Sequence, residues 1–390
     1  MTNNRDKALE GIRILDMSRV LAGPFCSMIL ADLGAEVIKV ETPWGDDSRM
    51  FGPFYGEHSA YYRLFNRSKK GITVDLKTDQ GRDTILGLAA RSDVVVENFR
   101  PGVMGRLGIS AQTLREINPR LIVTSISGFG QEGSLNGVPA YDLVAQAMSG
   151  LMSVTGWPGE RPTRTGVSLG DLIPGLYGAV GTLGALMERQ SSGKGQHVDV
   201  AMYDSLVSIL ESVAMRSLYE TEEPVAVGND HAMTVPFSTY AAKNGEVVIA
   251  VSNDKLFSRL ASALGMDHLM EDERFATYNA RVEHREETRQ VLEGAIADMP
   301  VETVVAKLRE HGVPTSHVAS VEEAIRGSYA QERGVLFEEP DGFRTLASPL
   351  RLSGSAAPSP APNLGEHNRE IKRWLTEPPR NGNSDSRTET

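Results

Sequence analysis

At 390 residues, with 40% hydrophobic and 23% charged residues, the chain has ordinary globular usage and enough length for one large domain and a smaller one. Its formal charge of −11 excludes nucleic acid as a general partner, though not a polyanionic small ligand met by local positive charge. The single cysteine, Cys26, excludes an internal disulfide, and its apolar setting (Phe25-Cys26-Ser27-Met28) predicts a buried thiol.

The opening residues are polar and lack the apolar stretch of a secretory signal, so the expected location is the cytoplasm. Residues 11–16 read as a short strand. A helix follows over 24–33, opening on Pro24 and stopped by Gly34, and then a strand over 35–41. The unit repeats as strand 71–76, helix 78–91 and strand 93–97, and a further helix leads to strand 121–126. Short Val/Ile-rich strands separated by helices predict a parallel sheet covered on both faces, an α/β, Rossmann-like fold. Ligands in such sheets collect at the carboxyl ends of strands, here the loops after Asp16, Glu97 and Ser127. No G-x-G-x-x-G follows Asp16, and Gly193-Lys194-Gly195 reads as a turn before a strand over 196–200, not as a phosphate loop.

Over 171–189 a helix carries Gly175, Gly178, Gly181 and Gly184 at every third position. Each glycine costs roughly 1 kcal/mol of helix propensity, so the spacing predicts another element packed on that side. The uncharged run 172–187 reads as too short and too interrupted to cross a bilayer. A second helix is expected over 202–219. Beyond a loop at 224–236, a strand over 246–251 and helices near 254–265, 281–298 and 301–311 predict a smaller α+β domain over 225–325. Residues 1–224 are then the first part of the large domain and 326–375 its return. Residues 376–390 are polar and aperiodic and are expected to be disordered.

Residues 63–77 concentrate positive charge (Arg63, Arg67, Lys69, Lys70, Lys77 against Asp75), either as a solvated face or as a surface for an anionic ligand. The eight histidines form neither His-x-x-x-His nor His-x-His, and with one cysteine no metal site is expected. His231, beside Asp230, reads as a surface loop histidine. Asp171 follows Gly170 at the expected start of the long helix. The free N–H groups and positive helix end there would keep its carboxylate ionised at neutral pH, which suits a nucleophile and equally a plain N-cap.

Several segments in series resemble the class III CoA-transferase (CaiB/BaiF) family: LDMSRVLAGP at 15–24, DLGAEVIKVE at 32–41, NRSKKGI at 66–72, VDLK at 74–77 and ENFRPG at 97–102. The series continues through Tyr141-Asp142, Gly170-Asp171 and SGKGQ at 192–196. The resemblance implies an interlocked homodimer using coenzyme A thioesters as substrates, without a metal. It makes Asp171 a nucleophile that carries an acyl group and then CoA to a free carboxylic acid. Gly170, having no side chain, would leave the thioester carbonyl unobstructed. It places CoA at Val20 and Ala22, at Val74 and Lys77, and at Asn98, Phe99 and Arg106, with the basic stretch 63–77 facing its phosphates. It places Tyr141 in the substrate pocket, where racemases of the family carry histidine. The glycine run of the formyl-transferring branch is absent from 228–236, and Leu21 stands where that branch has glutamine. Both make oxalate–formyl exchange doubtful and point to succinyl-CoA and short dicarboxylates. A 2-methylacyl-CoA racemase and a non-catalytic CoA-binding protein are the alternatives.

Overall fold

The computed structural model describes residues 7–353 and 357–377. Among the described residues two compact units emerge: those within 1–152, 164–221 and 333–390 form one, and residues 153–163 with 222–332 form the other. Residues 153–163, assigned from sequence to the large domain, pack with the second unit. Of the tail expected to be disordered, Thr376 ends a helix over Asn368–Thr376, and 378–390 lie outside the described residues.

The first unit is built on six strands, β1 (Arg13–Asp16), β2 (Glu36–Glu41), β3 (Lys69–Thr73), β4 (Val94–Glu97), β5 (Ile122–Ser127) and β6 (His197–Ala201). They are all parallel, in the order β3-β2-β1-β4-β5-β6. This is the doubly wound order, which reverses direction between β1 and β4. Successive side chains point to opposite faces, so the uninterrupted apolar strands fill two cores. Ile14, Val37, Val94, Val96 and Ile122 meet Cys26 and Leu30 of the Ala22–Asp32 helix and Ala179 and Leu186 of the long helix. Leu15, Ile38, Ile72, Val95 and Val123 meet Ile85 and Leu88 of the Asp79–Ala89 helix, with Leu114 and Ile371. The Ala22–Asp32 helix begins two residues before the proline the sequence pointed to. Pro24 still sits in the first turn, where its missing N–H has no partner to lose.

The long helix runs Leu169–Ser192 and ends on Gly193, whose φ of 69° provides the left-handed cap. At 24 residues it exceeds the run read from the sequence and is long and apolar enough to span a bilayer by length and composition alone. One side of it is packed inside the unit. A Cβ on Gly175 would lie 2.6 Å from the Ala22 carbonyl oxygen, one on Gly178 2.9 Å from Ile126, and one on Gly181 2.7 Å from Val198. Three of the four glycines are therefore explained within one chain. Gly184 faces open space. The helix expected over 202–219 is two, Met202–Ser208 and Glu211–Tyr219, broken where Glu211 adopts φ 55°.

The second unit holds a three-stranded antiparallel sheet, Phe237–Ala242, Gly245–Ala250 and Thr315–His317, with the middle strand central. Its inward residues Tyr240, Val247 and Ile249 pack on Phe257, Leu260, Leu292, Val304 and Leu308 of the helices Asp254–Leu264, Arg285–Ile296 and Val301–Glu310. His231 shapes its loop: its Nδ1 accepts the Met233 N–H at 3.1 Å, and its ring lies 5.2 Å from that of Phe237.

Candidate active site

The strand order reverses between β1 and β4, so the loops leaving their carboxyl ends flank a crevice. These loops carry Val20, Ala22, Asn98 and Phe99. Val20 has φ 65°, a left-handed conformation unfavourable for a β-branched residue. Ala22 is buried as the first residue of its helix. Asn98 joins the two loops: its Oδ1 accepts the Arg19 N–H at 2.8 Å and its Nδ2 donates to the Arg19 carbonyl at 2.9 Å. The side chain read as a ligand contact thus clasps the neighbouring peptide. Phe99 packs on the core of the β2–β5 face, and its N–H donates to Glu97 at 2.8 Å.

Asp171 is the third residue of the long helix and lies in its first turn. The N-cap is Ser168, whose side chain makes no capping bond. The reading of Asp171 as an N-cap is therefore corrected. So is the expected ionisation: burial first, and the Asp142 carboxylate second, push its pKa up to about 7. Among the described residues nothing donates a hydrogen bond to its carboxylate. Asp142 is the first residue of the Asp142–Met148 helix and is buried. Its Oδ1 accepts the Gly170 N–H and the Gln146 amide, both at 2.8 Å, and Arg164 lies 3.3 Å from Oδ2. A Cβ on Gly170 would lie 2.9 Å from both the Asp142 carbonyl oxygen and its Oδ1. Gly170 is thus required for the approach of Asp142, a reason different from the open carbonyl approach expected.

Beside Asp171, Leu172 joins Val20, Leu21, Phe25, Met28, Tyr61 and Phe65 in one apolar cluster, bringing the post-β1 loop to the start of the long helix. Tyr61 feels the charge of Asp171. Burial, then Asp171, Asp46 and Asp142, raise its phenol to about 12. Tyr141, next to Asp142, is 76% exposed.

The basic stretch does not present a positive face. Arg63 is buried against Glu339 and Asp341, Arg67 pairs with Asp32 at 2.7 Å, Lys69 is buried on Asp16 at 2.9 Å, and Lys70 bridges Glu36 and Glu370. Burial lowers Lys69 to about 8, with Asp16 opposing. Four of the five charges are therefore paired with carboxylates of the same unit, three of them buried and Lys70 at the surface. Val74 is also buried, in the core with Val40 and Ile72, so its side chain is not free for a ligand. Lys77, Arg100 and Arg106 are exposed and have no ion-pair partner among the described residues. Two of these three were read from sequence. Arg100 lines a 160 Å³ cavity with Glu97, Ser125, Gln131 and His197.

The sequence reading gave no role to the side chains of Asp142, Tyr61 and Glu97. An Asp after Tyr141 carried a signal, but only the fold places it on Gly170. Glu97 is buried, and burial raises it to about 7, with Ser125 and the Phe99 N–H opposing and Asp199 adding. Among the described residues no group of three or more His, Cys, Asp or Glu could hold a metal ion.

Residues 9–368 match CoA-transferase family III. The chain is 37% identical over 382 residues to a succinate–glutarate CoA-transferase of Agrobacterium fabrum, covering 94% of this chain and 96% of that protein. It is 37% identical over 374 residues to an acetyl-CoA:oxalate CoA-transferase of Acetobacter aceti, covering 95% and 96%. A crystal structure of a CaiB/BaiF family protein from Brucella suis is 36% identical, with a TM-score of 0.85, covering 95% of this chain and all of the other.

Proposed function

The chain belongs to CoA-transferase family III, and from that premise we propose that it moves coenzyme A from a short acyl-CoA, such as succinyl-CoA, to a short dicarboxylic acid through covalent species on Asp171. The observation carrying this reading is the setting of Asp171: partly buried, beside a second carboxylate, without a hydrogen-bond donor among the described residues, and adjoining an apolar cluster that includes the post-β1 loop. A carboxylate so placed is poorly solvated and correspondingly reactive as a nucleophile.

In the proposed sequence, an Asp171 oxygen attacks the thioester carbonyl, the C–S bond breaks, and CoA thiolate leaves a mixed anhydride. The thiolate attacks the aspartyl carbonyl, expels the donor acid and forms an aspartyl–CoA thioester. The acceptor carboxylate attacks that carbonyl, releasing thiolate and giving a second anhydride. Thiolate attack on the acceptor's acyl carbon then yields the new acyl-CoA and restores the Asp171 carboxylate. No step consumes a high-energy bond or a net proton. Lys77, Arg100 and Arg106 are the cations proposed for the CoA phosphates, with Val20 and Ala22 beside the thioester and Tyr141 near the acyl group.

The Agrobacterium and Acetobacter relatives support dicarboxylate acceptors, oxalate among them. The interlocked homodimer is proposed with this reading. It is supported by the apolar side chains that the long helix leaves exposed, Leu176, Tyr177, Val180 and Met187, and by Leu218 and Tyr219 nearby in sequence. The test is transfer from succinyl-CoA or acetyl-CoA to glutarate, oxalate and mesaconate, with hydroxylamine quenching during turnover. Wild type is expected to acquire hydroxamate on the peptide containing Asp171, and Asp171→Asn to show neither label nor transfer. Full transfer by Asp171→Asn would overturn the reading.

A further inference from the structure

Five backbone polar groups of three successive residues after β1 are each held by a side chain. Ser18 N–H donates to Asp16 at 3.0 Å, and the Ser18 carbonyl accepts from Lys39 Nζ at 2.5 Å. The Arg19 N–H and carbonyl are both taken by Asn98. The Val20 N–H points between the two oxygens of Asp46, 3.2 Å from each. Asp46 is itself buried and over-determined. Lys39 Nζ donates to its Oδ2 at 2.9 Å, the Ser48 N–H and hydroxyl donate to its Oδ1 at 2.9 and 2.8 Å, and its own N–H donates to Glu41 at 3.0 Å. Lys39 has no exposed side-chain surface.

This frame holds Val20 where an L-residue does not sit by itself, at φ 65°. Strain of this kind persists only where the surroundings enforce it, and it clusters at ligand sites. Neither Ser18 nor Arg19 has a positive φ. Val20 is the residue whose conformation needs an outside constraint, and its N–H has no acceptor other than Asp46 among the described residues.

We infer that Asp46 is a positioning residue for the acyl-CoA site: it fixes the Val20 peptide in the left-handed conformation, so that the post-β1 loop meets the thioester already shaped. The inference rests on the reading that this loop takes acyl-CoA. Without Asp46 the loop relaxes toward ordinary angles, and binding must restore the strained form. The penalty falls on acyl-CoA affinity and leaves the acceptor acid and the chemistry at Asp171 largely untouched.

The test combines Asp46→Asn, Asp46→Glu, Val20→Gly and the double variant Val20→Gly/Asp46→Asn, assayed by steady-state transfer with varied succinyl-CoA or acetyl-CoA. Asp46→Asn is expected to raise the acyl-CoA KM by about tenfold, the affinity equivalent of imposing a left-handed turn on an L-residue. The kcat and the KM for the acceptor acid should stay within about threefold on the ordinary scatter of neutral changes. Glycine adopts φ 65° without penalty, so the double variant should recover much of the acyl-CoA KM lost by Asp46→Asn. A purely structural Asp46 would lower the melting temperature without moving KM, and Val20→Gly would rescue nothing. A folded Asp46→Asn protein with unchanged acyl-CoA KM overturns the inference, as does a double variant no better than the single. Should Asp46→Asn not fold, Asp46→Glu keeps the charge beside Lys39, displaces the oxygens from Val20, and is read the same way. Calorimetry of CoA with Lys77→Ala and Arg106→Ala separates the two levels. Affinity lost there but not in the Asp46 variants sinks the inference alone, and affinity unchanged throughout sinks the placement of CoA.

Discussion

Replacing Asp171 by asparagine is expected to stabilise the fold at alkaline pH while abolishing transfer. Burial and Asp142 raise the Asp171 carboxyl from an ordinary aspartate value to about 7. Between about pH 4 and 7 the folded chain therefore keeps a proton that the unfolded chain has released, and folding stability falls as pH rises through this window. Above pH 7 the penalty is complete, and a displacement of this size corresponds to about 4 kcal/mol at most. Asparagine has no proton to lose. The stability gain of Asp171→Asn should be near zero at pH 4 and grow toward a few kcal/mol at pH 8. Urea unfolding at pH 4.5, 6 and 8, at one fixed protein concentration, reads this as a growing difference in midpoint with unchanged slope. A gain equal at all three pH values would refute the electrostatic origin. A loss at pH 8 would mean that Asp171 supports the fold, as a cap would.

Asp142→Asn should move the acidic limb of the pH profile for transfer to lower pH, because removing a neighbouring negative charge lets Asp171 ionise sooner; an unmoved limb in kcat/KM against pH would count against the coupling. Gly170→Ala should cost about 1–3 kcal/mol in chemical denaturation, because its methyl would press on Asp142, whereas Gly184→Ala, facing open space, should gain about 0.5–1 kcal/mol. Lys77→Ala and Arg106→Ala should each weaken CoA binding by roughly 1–3 kcal/mol in calorimetry, by less at high salt, while Lys70→Ala, engaged by Glu36 and Glu370, leaves it near wild type.

The sheet was legible because its strands are continuous apolar runs, and both faces of β1, β2, β4 and β5 are filled by the residues the pattern indicated. The loops at strand ends followed from that parallel order. Charge was not legible in the same way. Arg67, Lys69 and Lys70 look in sequence like a basic surface, yet their partners Asp32, Asp16 and Glu36 lie 53 residues or fewer upstream and become neighbours only when β1, β2 and β3 pair. The surroundings of Asp171 were hidden for a related reason. A sequence shows that an acid opens a helix, but whether helix N–H groups or a second acid reach it depends on Asp142 and the Ser168 turn. Gly170 was found by motif, and its physical cause, a close approach by Asp142, lies 28 residues away.

The setting of Asp171 also bears on why an acyl group would reside there. Desolvation and the Asp142 carboxylate disfavour the Asp171 anion; they act on its charge, and an anhydride or thioester on that oxygen carries none. On the proposed route, the free energy that lifts the carboxyl to about 7 would be released on acylation, on the order of a few kcal/mol. That offsets part of the high energy of an anhydride and narrows the gap between free and acylated enzyme. On the proposed route, each return to the free carboxylate would restore the repulsion, and the site would not be trapped in a covalent state while a thiolate or second acid is at hand. A helix-capped, well-solvated aspartate would be a more stable anion and a poorer acceptor of acyl groups.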